Sequence, residues 1–502
     1  MRIPIDLLRR CTCVFLLSAL LWPVASMSQD EALKVTVDWK DVLRTSKTTT
    51  TLQVVVNPPL RPSSSIHDAA WNSLRALHAD YVRFVPWLPY PRLAVAELEP
   101  PTAEHTSWDF SLIDPLVSDF FAATIDHPIM LNFSTIPQWM YRTDKPVPYP
   151  TNPDEVTWKY EQGQELRDPS AKEVADYYSR VAAWYARGGF TDESDKFHSS
   201  PFHYKIALWE VLNEVDYEHS FTPQTYTKVY DAIVSSVRKV LPDTKFVALA
   251  LAAPSDHPDF FEYFLDSKNH QPNVPLDYIS YHFYAVPTAG QPPEAWQYTF
   301  FEQADKFLSS VRFIEAIRQR LSPQTKTAIN EVGCILPGDP EGTETIPDTY
   351  WNLCGAMYAY VFAALANQGI DILASSQLVG YPTQFPSVTL LDWKTGQPNA
   401  RYWVLKLLHD NFAAGDRLIK TSDPSPDLLA QAFLSSDGTR KLLLVNKRAH
   451  PLAVQLPGAM AAREAHTDVT SGSAAPSSSS LSSETLVLGP FSVTVVTFQQ
   501  GH

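Results

Sequence analysis

Between about residues 50 and 410, eight short runs of β-type residues alternate with longer stretches whose apolar positions recur three and four apart. The runs are TLQVVVNP (51–58), DYVRFVPW (80–87), HPIMLNFS (127–134), KIALWEVLNE (205–214), KFVALALAAP (245–254), LDYISYHFY (276–284), TKTAINEVG (325–333) and IDILASSQLV (370–379). Near-continuous apolar strands separated by amphipathic helices suit a parallel sheet buried on both faces. Eight such units in about 360 residues predict a (β/α)8 barrel with long loops, an α/β fold. The structural rival is an open doubly wound sheet, but no Gly-rich phosphate turn follows the first run.

The texture changes near residue 412. Asp437-Gly438 separates two apolar runs, a hairpin signal, and the chain closes on the β-branched alternation ETLVLGPFSVTVVTFQ. Residues 412–502 therefore read as a small C-terminal β-sandwich behind a catalytic barrel spanning 51–411. The segment 27–50 supplies a strand, ALKVTVDW (32–39), available to that sandwich. TSGSAAPSSSSLSSE (470–484) reads as a flexible loop.

Residues 1–26 read as a signal peptide, with Arg2, Arg9 and Arg10 ahead of the apolar run CVFLLSALLWPVAS and small residues at Ala25 and Ser26. A secreted protein is expected, with no stable membrane span after cleavage, because no later segment holds eighteen uninterrupted apolar residues. Beyond that leader only Cys334 and Cys354 remain, either bridged or as two buried thiols; two cysteines carry no framework pattern. The net charge of −15 argues against a nucleic-acid partner. Asn132-Phe133-Ser134 is a glycosylation sequon, but its place at the end of a core strand argues against a glycan there.

In a (β/α)8 barrel the reactive groups stand at the C-terminal ends of strands. Glu214 ends the fourth run and Glu331 nearly ends the seventh, 117 residues and three βα units later. A single strand-end acid is ordinarily a surface or salt-bridged group. Two carboxyls facing each other across a barrel mouth are what glycosidic bond cleavage requires, one protonated to release the leaving oxygen and one ionised. His282 and Tyr284 end the sixth run between them, and Arg83 in the second needs a buried partner, for which Glu331 is the candidate. Trp87, Trp139 and Trp209 are candidate sugar-stacking residues, with Trp209 equally readable as core. No HExxH or clustered ligand spacing calls for a metal, and no cofactor is expected.

These residues carry a resemblance. WEVLNEVD is similar to the Asn-Glu acid/base motif of glycoside hydrolase family 39, which includes β-xylosidases and α-L-iduronidases. ADYVRFVPW, the 106–140 segment TSWDFSLIDPLVSDFFAATIDHPIMLNFSTIPQWM, LDYISYHFY and TAINEVG resemble that family's second, third, sixth and seventh strands. The resemblance runs over about 70–410 and implies a retaining, β-xylosidase-like hydrolase. It carries the acid/base role to Glu214, the nucleophile to Glu331, sugar contact to Asn213 and a binding role to His282. A terminal β-sandwich is implied as well. Three positions depart from the family pattern: Leu212 where Trp is usual, Val215 where Pro is usual, and Val85 where the second-strand motif continues to His. Those departures leave open a catalytically inactive carbohydrate-binding barrel, and the mouth loops leave open an endo-acting glycanase. Loops 143–169 and 286–297 are the expected pocket walls. The sugar, the linkage and the oligomeric state are not legible.

Overall fold

The computed structural model describes residues 32–339, 346–422 and 424–499. The signal-peptide assignment lies outside the described residues. Eight parallel strands close on one another: β1 (Thr49–Val55), β2 (Val82–Val85), β3 (Ile129–Leu131), β4 (Leu208–Glu210), β5 (Lys245–Leu251), β6 (Tyr278–Ala285), β7 (Lys326–Cys334) and β8 (Ile372–Ser375). Each is followed by a helix: α1 (His67–Leu77), α2 (Asp114–Ala123), α3 (Lys172–Arg187), α4 (Pro223–Val240), α5 (Pro258–Phe264), α6 (Trp296–Leu321), α7 (Asp348–Gln368) and α8 (Ala400–Asn411). Several strands are buried along their whole length, as burial on both faces requires.

Local chemistry explains where helices start and stop. Thr222 caps α4, its hydroxyl accepting the Thr225 N–H at 3.1 Å with Pro223 in the first turn. The buried stripe Val174, Tyr178, Val181 and Tyr185 seats α3, and Gly188 ends it at φ 78°, where a side chain would be strained. Cys334 at the end of β7 is disulfide-bonded to Cys354 of α7, which resolves the alternative left by the sequence.

A seven-stranded sheet runs in the order Ser477–Ser480, Arg463–Thr467, Val493–Thr497, Arg440–Asn446, Leu428–Leu434, Arg417–Thr421, Val37–Thr45. A three-stranded sheet (Leu33–Lys34, Leu452–Gln455, Thr485–Leu488) covers one face. Alternation serves two cores. Leu442, Leu444 and Val496 point into the sandwich, whereas Leu443, Val445 and Val495 join the barrel's outer core. Phe433 packs on Phe412 at 4.4 Å and on Phe362 of α7 at 6.1 Å. Ser477–Ser480 corrects one expectation: part of the supposed flexible loop is an edge strand. Its backbone pairs with Arg463–His466 while all four side chains stay exposed, so no apolar pattern betrays it. Among the described residues no helix is long and apolar enough to cross a membrane.

Replacing Thr222 with Ala removes the α4 cap and is expected to lower stability by about 1 kcal/mol, read from the midpoint of a urea denaturation curve at unchanged slope.

Candidate active site

Arg83 on β2 is fully buried at the centre of the barrel mouth. Its guanidinium donates to four acceptors: Nε to Glu210 Oε2 (2.5 Å), Nη1 to Gln53 Oε1 (2.5 Å) and Glu331 Oε1 (2.6 Å), and Nη2 to Asn213 Oδ1 (2.6 Å). Register makes this reachable, since Gln53 and Arg83 are direct partners across β1 and β2. Glu210, likewise fully buried, accepts four donors: Arg83, Asn132 (2.7 Å), Ser280 (2.6 Å) and Asn330 (2.5 Å). It thereby ties together β2, β4, β6, β7 and the residue following β3. The sequon asparagine is thus a buried structural donor.

Sequence reasoning missed Glu210. The signal was present, a lone charge inside an apolar strand, but attention went to the acid four residues later. β4 pairs only as far as Glu210. Beyond it the chain kinks through positive φ at Leu212 (67°) and Glu214 (40°), held by the Glu214 N–H to Ala250 carbonyl bond at 2.9 Å. Backbone in this region is costly for residues other than glycine and concentrates at functional sites. The kink brings the Glu214 carboxyl to the mouth with its side chain 18% exposed, whereas Glu210 stays below it at zero.

Glu331, on β7, is held from three sides. Arg83 binds Oε1, the Tyr284 hydroxyl donates to Oε2 at 2.5 Å, and His282 Nε2 lies 3.6 Å from Oε1. Tyr284 and Gln53 both meet the Ser376 hydroxyl at 2.6 Å, so one hydrogen-bonded chain supports the carboxylate. His282, the β6 partner of Glu331 in register, sets Nδ1 3.0 Å from Glu214 Oε1. Glu214, His282 and Glu331 bring ligand atoms within 4.8 Å of one another.

The two acids sit in opposed environments. Burial raises the Glu214 carboxyl above its ordinary range, and the negative charge of Glu331 adds to this, against the hydrogen bond from His282. Burial also works upward on Glu331, but His282, Arg83 and Tyr284 outweigh it and hold that carboxyl below its ordinary range. Burial opposes the charge on His282, yet the carboxylates of Glu331 and Glu214 leave its pKa raised.

A cleft of about 580 Å³ opens over these groups, lined among others by Gln53, Val85, Trp87, Asn213, Glu214, Tyr284, Glu331 and Ser376. Trp87, Trp158 and Phe385 form an aromatic lip with ring centres 5.3 to 6.2 Å apart. A second acidic group borders it: Glu161, Glu218 and His219, whose ligand atoms also fall within 4.8 Å of one another. Trp87 Nε1 and Asn213 Nδ2 donate to Glu218 Oε1 at 2.5 and 2.9 Å. Burial, then Glu214 and Glu161, push Glu218 well above the usual carboxylate range. These two carboxylate–histidine groups are the sets of side chains among the described residues that have metal-ligating proximity.

Of the sequence candidates, Glu214, Glu331, Asn213, Tyr284 and Trp87 line the cleft. Arg83 and His282 do not; each is buried behind the acids and bonded to them. Trp139 is displaced altogether. Its indole donates to the Glu97 carbonyl at 2.9 Å and its ring lies under Arg167 at 4.4 Å, because the chain turns into a short 3-10 helix (Gln138–Met140) before reaching the mouth. Trp209 stacks on Phe133 in the core. Leu212 and Val215 are also core, so only Val85 of the three departures borders the cleft. Loop 143–169 contributes Trp158, Lys159 and Glu161 to the wall; loop 286–297 contributes nothing, its place being taken by the segment after β8 with Gln377, Phe385 and Val388.

Comparison with solved structures finds the same architecture in glycosidases. The glycoside hydrolase family 51 arabinofuranosidase of Xanthomonas axonopodis pv. citri aligns with a TM-score of 0.62 at 13% identity, covering 93% of this chain and 100% of that one. A family 51 α-L-arabinofuranosidase of Bifidobacterium longum aligns with a TM-score of 0.61 at 13% identity, covering 93% and 99%. A family 30 endoxylanase of Clostridium papyrosolvens C71 gives 0.56 at 14%, covering 93% and 100%. At such identities the likeness is one of fold. Residues 426–496 match the family described as D-apionate lactonase, C-terminal immunoglobulin-like domain. No curated protein matches the chain.

Replacing Arg83 with Met strands the carboxylates of Glu210 and Glu331 and is expected to cost on the order of 3–5 kcal/mol, seen as a lowered denaturation midpoint. Replacing it with Lys keeps the charge, but an ammonium cannot serve four acceptors in one plane and is expected to recover only part of the loss.

Proposed function

We propose that the protein is a retaining glycoside hydrolase of the family 39 type, acting on a neutral, β-xylosidase-like glycone by double displacement. The observation that carries this reading is the pairing of Glu214 with Glu331, carboxylate oxygens within 4.8 Å, in opposed electrostatic environments. Retaining enzymes hold their carboxyls about 5–5.5 Å apart, and inverting enzymes about 6.5–9.5 Å to admit a water. Glu331, kept ionised, attacks the anomeric carbon. Glu214, kept protonated, gives its proton to the departing oxygen, then removes one from the incoming water. Once Glu331 is esterified its charge is gone, so one cause of the raised Glu214 pKa disappears and the group turns from acid to base.

Asn213 has its carbonyl held by Arg83 and one amide hydrogen by Glu218, which leaves the second amide hydrogen for a sugar hydroxyl. The ionised Glu331 on the floor of the cleft disfavours a second carboxylate on the sugar, so a neutral glycone is favoured over a uronic acid. The fold likeness to glycosidases supports this reading. An inactive binding barrel has no physical need for two buried carboxyls tuned in opposite directions. The match at residues 426–496 favours one second reading, opening of a sugar-acid lactone by water activated at the same pair. An endo-acting glycanase would use the same chemistry and is separated by its products.

Glu331→Gln is expected to abolish turnover of both activated and unactivated aryl glycosides. Glu214→Gln should lose about 10²–10⁴-fold on a poor leaving group and much less in the first step on a good one. Proton NMR of the first-formed product should show the starting anomeric configuration. Wild-type rates in both variants, or opening of an aldonolactone with no glycoside turned over, would sink the glycosidase reading. The pH profile of kcat/KM should be bell-shaped. Its acid limb, from the depressed Glu331, should lie below the ordinary carboxylate range, and its alkaline limb, from the raised Glu214, above it. Stability follows the same signs. The contribution of ionised Glu331 is present above the unfolded carboxyl pKa and is lost as pH falls through its folded value; that of protonated Glu214 is lost as pH rises through its own.

A further inference from the structure

A second cavity, of about 630 Å³, lies where the β8–α8 segment and the start of α7 meet the sandwich turn at Val469–Ser473. Its volume is that of a ligand site. Two indoles border it, Trp351 on α7 and Trp393 in the turn after β8, each only partly buried, and neither indole N–H donates to a described residue. Asn352, only 3% exposed, lines the same cavity with an amide nitrogen that has no partner among the described residues. Buried polar groups in native proteins are nearly always paired, so an orphan at a cavity wall points to a missing polar ligand. Asp392 spends one carboxylate oxygen on its own turn, bonding the N–H groups of Lys394 and Thr395, and Asp348 and Gln397 stand exposed at the rim.

We propose that this cavity is an accessory carbohydrate-binding site, which takes a neutral sugar unit of an oligosaccharide or polysaccharide chain distinct from the unit being cleaved. Flat indole faces beside amide and carboxylate groups suit a sugar ring, apolar on its faces and hydroxylated at its edge. The Trp351 and Trp393 rings supply the stacking surface, and Asn352 and Asp392 the hydroxyl contacts. Its position ties it to catalysis, because consecutive residues of one segment serve both cavities: Val388 lines the catalytic cleft and Thr389 lines this one. The site holds carbohydrate against the enzyme without taking part in the chemistry, and this role rests on the glycosidase reading.

Affinity electrophoresis of the full chain in gels holding xylan, arabinan, galactan, mannan or β-glucan tests the binding directly. At least one polymer should retard the wild type and the Glu214→Gln variant alike. Trp351→Ala/Trp393→Ala should cut that retardation at least fivefold, while its rate on a small aryl glycoside stays within twofold of wild type. Should the double variant fail to fold, as judged by its melting temperature, Trp393→Ala alone decides, since it lies in a turn. Retardation unchanged by the tryptophan substitutions, or none of the five polymers retarding the wild type, overturns the proposal. If the tryptophan variants lose retardation while no glycoside is ever hydrolysed, the binding site stands and the glycosidase reading falls, so the two failures are distinguishable.

Discussion

The Arg83–Glu210 pair is the interaction on which the barrel mouth depends. Both side chains are fully withdrawn from water, and an ion pair in that position repays its desolvation only when every remaining donor and acceptor is satisfied. Here every guanidinium nitrogen and both carboxylate oxygens find partners, most of them from outside the pair. Arg83 has three further acceptors and Glu210 three further donors, drawn from strands all around the barrel. The network is therefore a positional constraint as much as a source of stability. It fixes one charge at the barrel mouth, in direct contact with Glu331 and one residue removed, through Asn213, from Glu218.

From this follows the asymmetry of Glu214 and Glu331. Glu331 touches Arg83 directly and Glu214 does not; both acids face the imidazole of His282, whose Nδ1 lies 3.0 Å from Glu214 and whose Nε2 lies 3.6 Å from Glu331. A guanidinium cannot lose its proton in this environment, whereas an imidazole can. Glu331 is thus held below its ordinary range by His282 together with one permanent charge, that of Arg83. Glu214 faces a partner whose own charge depends on the state of both carboxylates. On the proposed mechanism, the group that changes protonation twice is the one beside a neighbour that can respond.

The alternation of eight apolar runs with helical stretches made the barrel legible, because period and length are written directly in the residues. Glu214 and Glu331 were legible for the same reason: polar groups at the ends of apolar strands stand out. Glu210 was not, since one charge inside a strand looks the same whether it points to the barrel axis or marks a misread strand. Trp139 illustrates a second limit. Proximity to a strand end along the chain says nothing of the turn that follows, and a 3-10 turn carried its indole under Arg167. The third wall of the cleft came from the segment after β8, whose course is set by contacts hundreds of residues away, such as the Asn57 amide to the Val379 carbonyl at 2.7 Å. Ser477–Ser480 joins its sheet through backbone pairing and exposed serine hydroxyls, which leaves no apolar trace in the side-chain pattern.

That same segment shows how the barrel governs its own rim. Arg401 on α8 is buried and has no carboxylate partner among the described residues; its guanidinium donates to the carbonyls of Ser376, Ser387 and Thr389. Burial lowers its pKa, since only neutral dipoles answer the charge. A cation held in this way has use for those carbonyls only if they converge, and they belong to the two arms of the segment that follows β8. The arms are also laced by backbone bonds from Gln377 to Val388 and from Leu390 to Gln377. Ser376 meets Tyr284, which meets Glu331, so the arm pinned by Arg401 is the arm that supports the Glu331 carboxylate. Thr389 and Ser376 are thus joined through one guanidinium as well as through the backbone bonds of their neighbours.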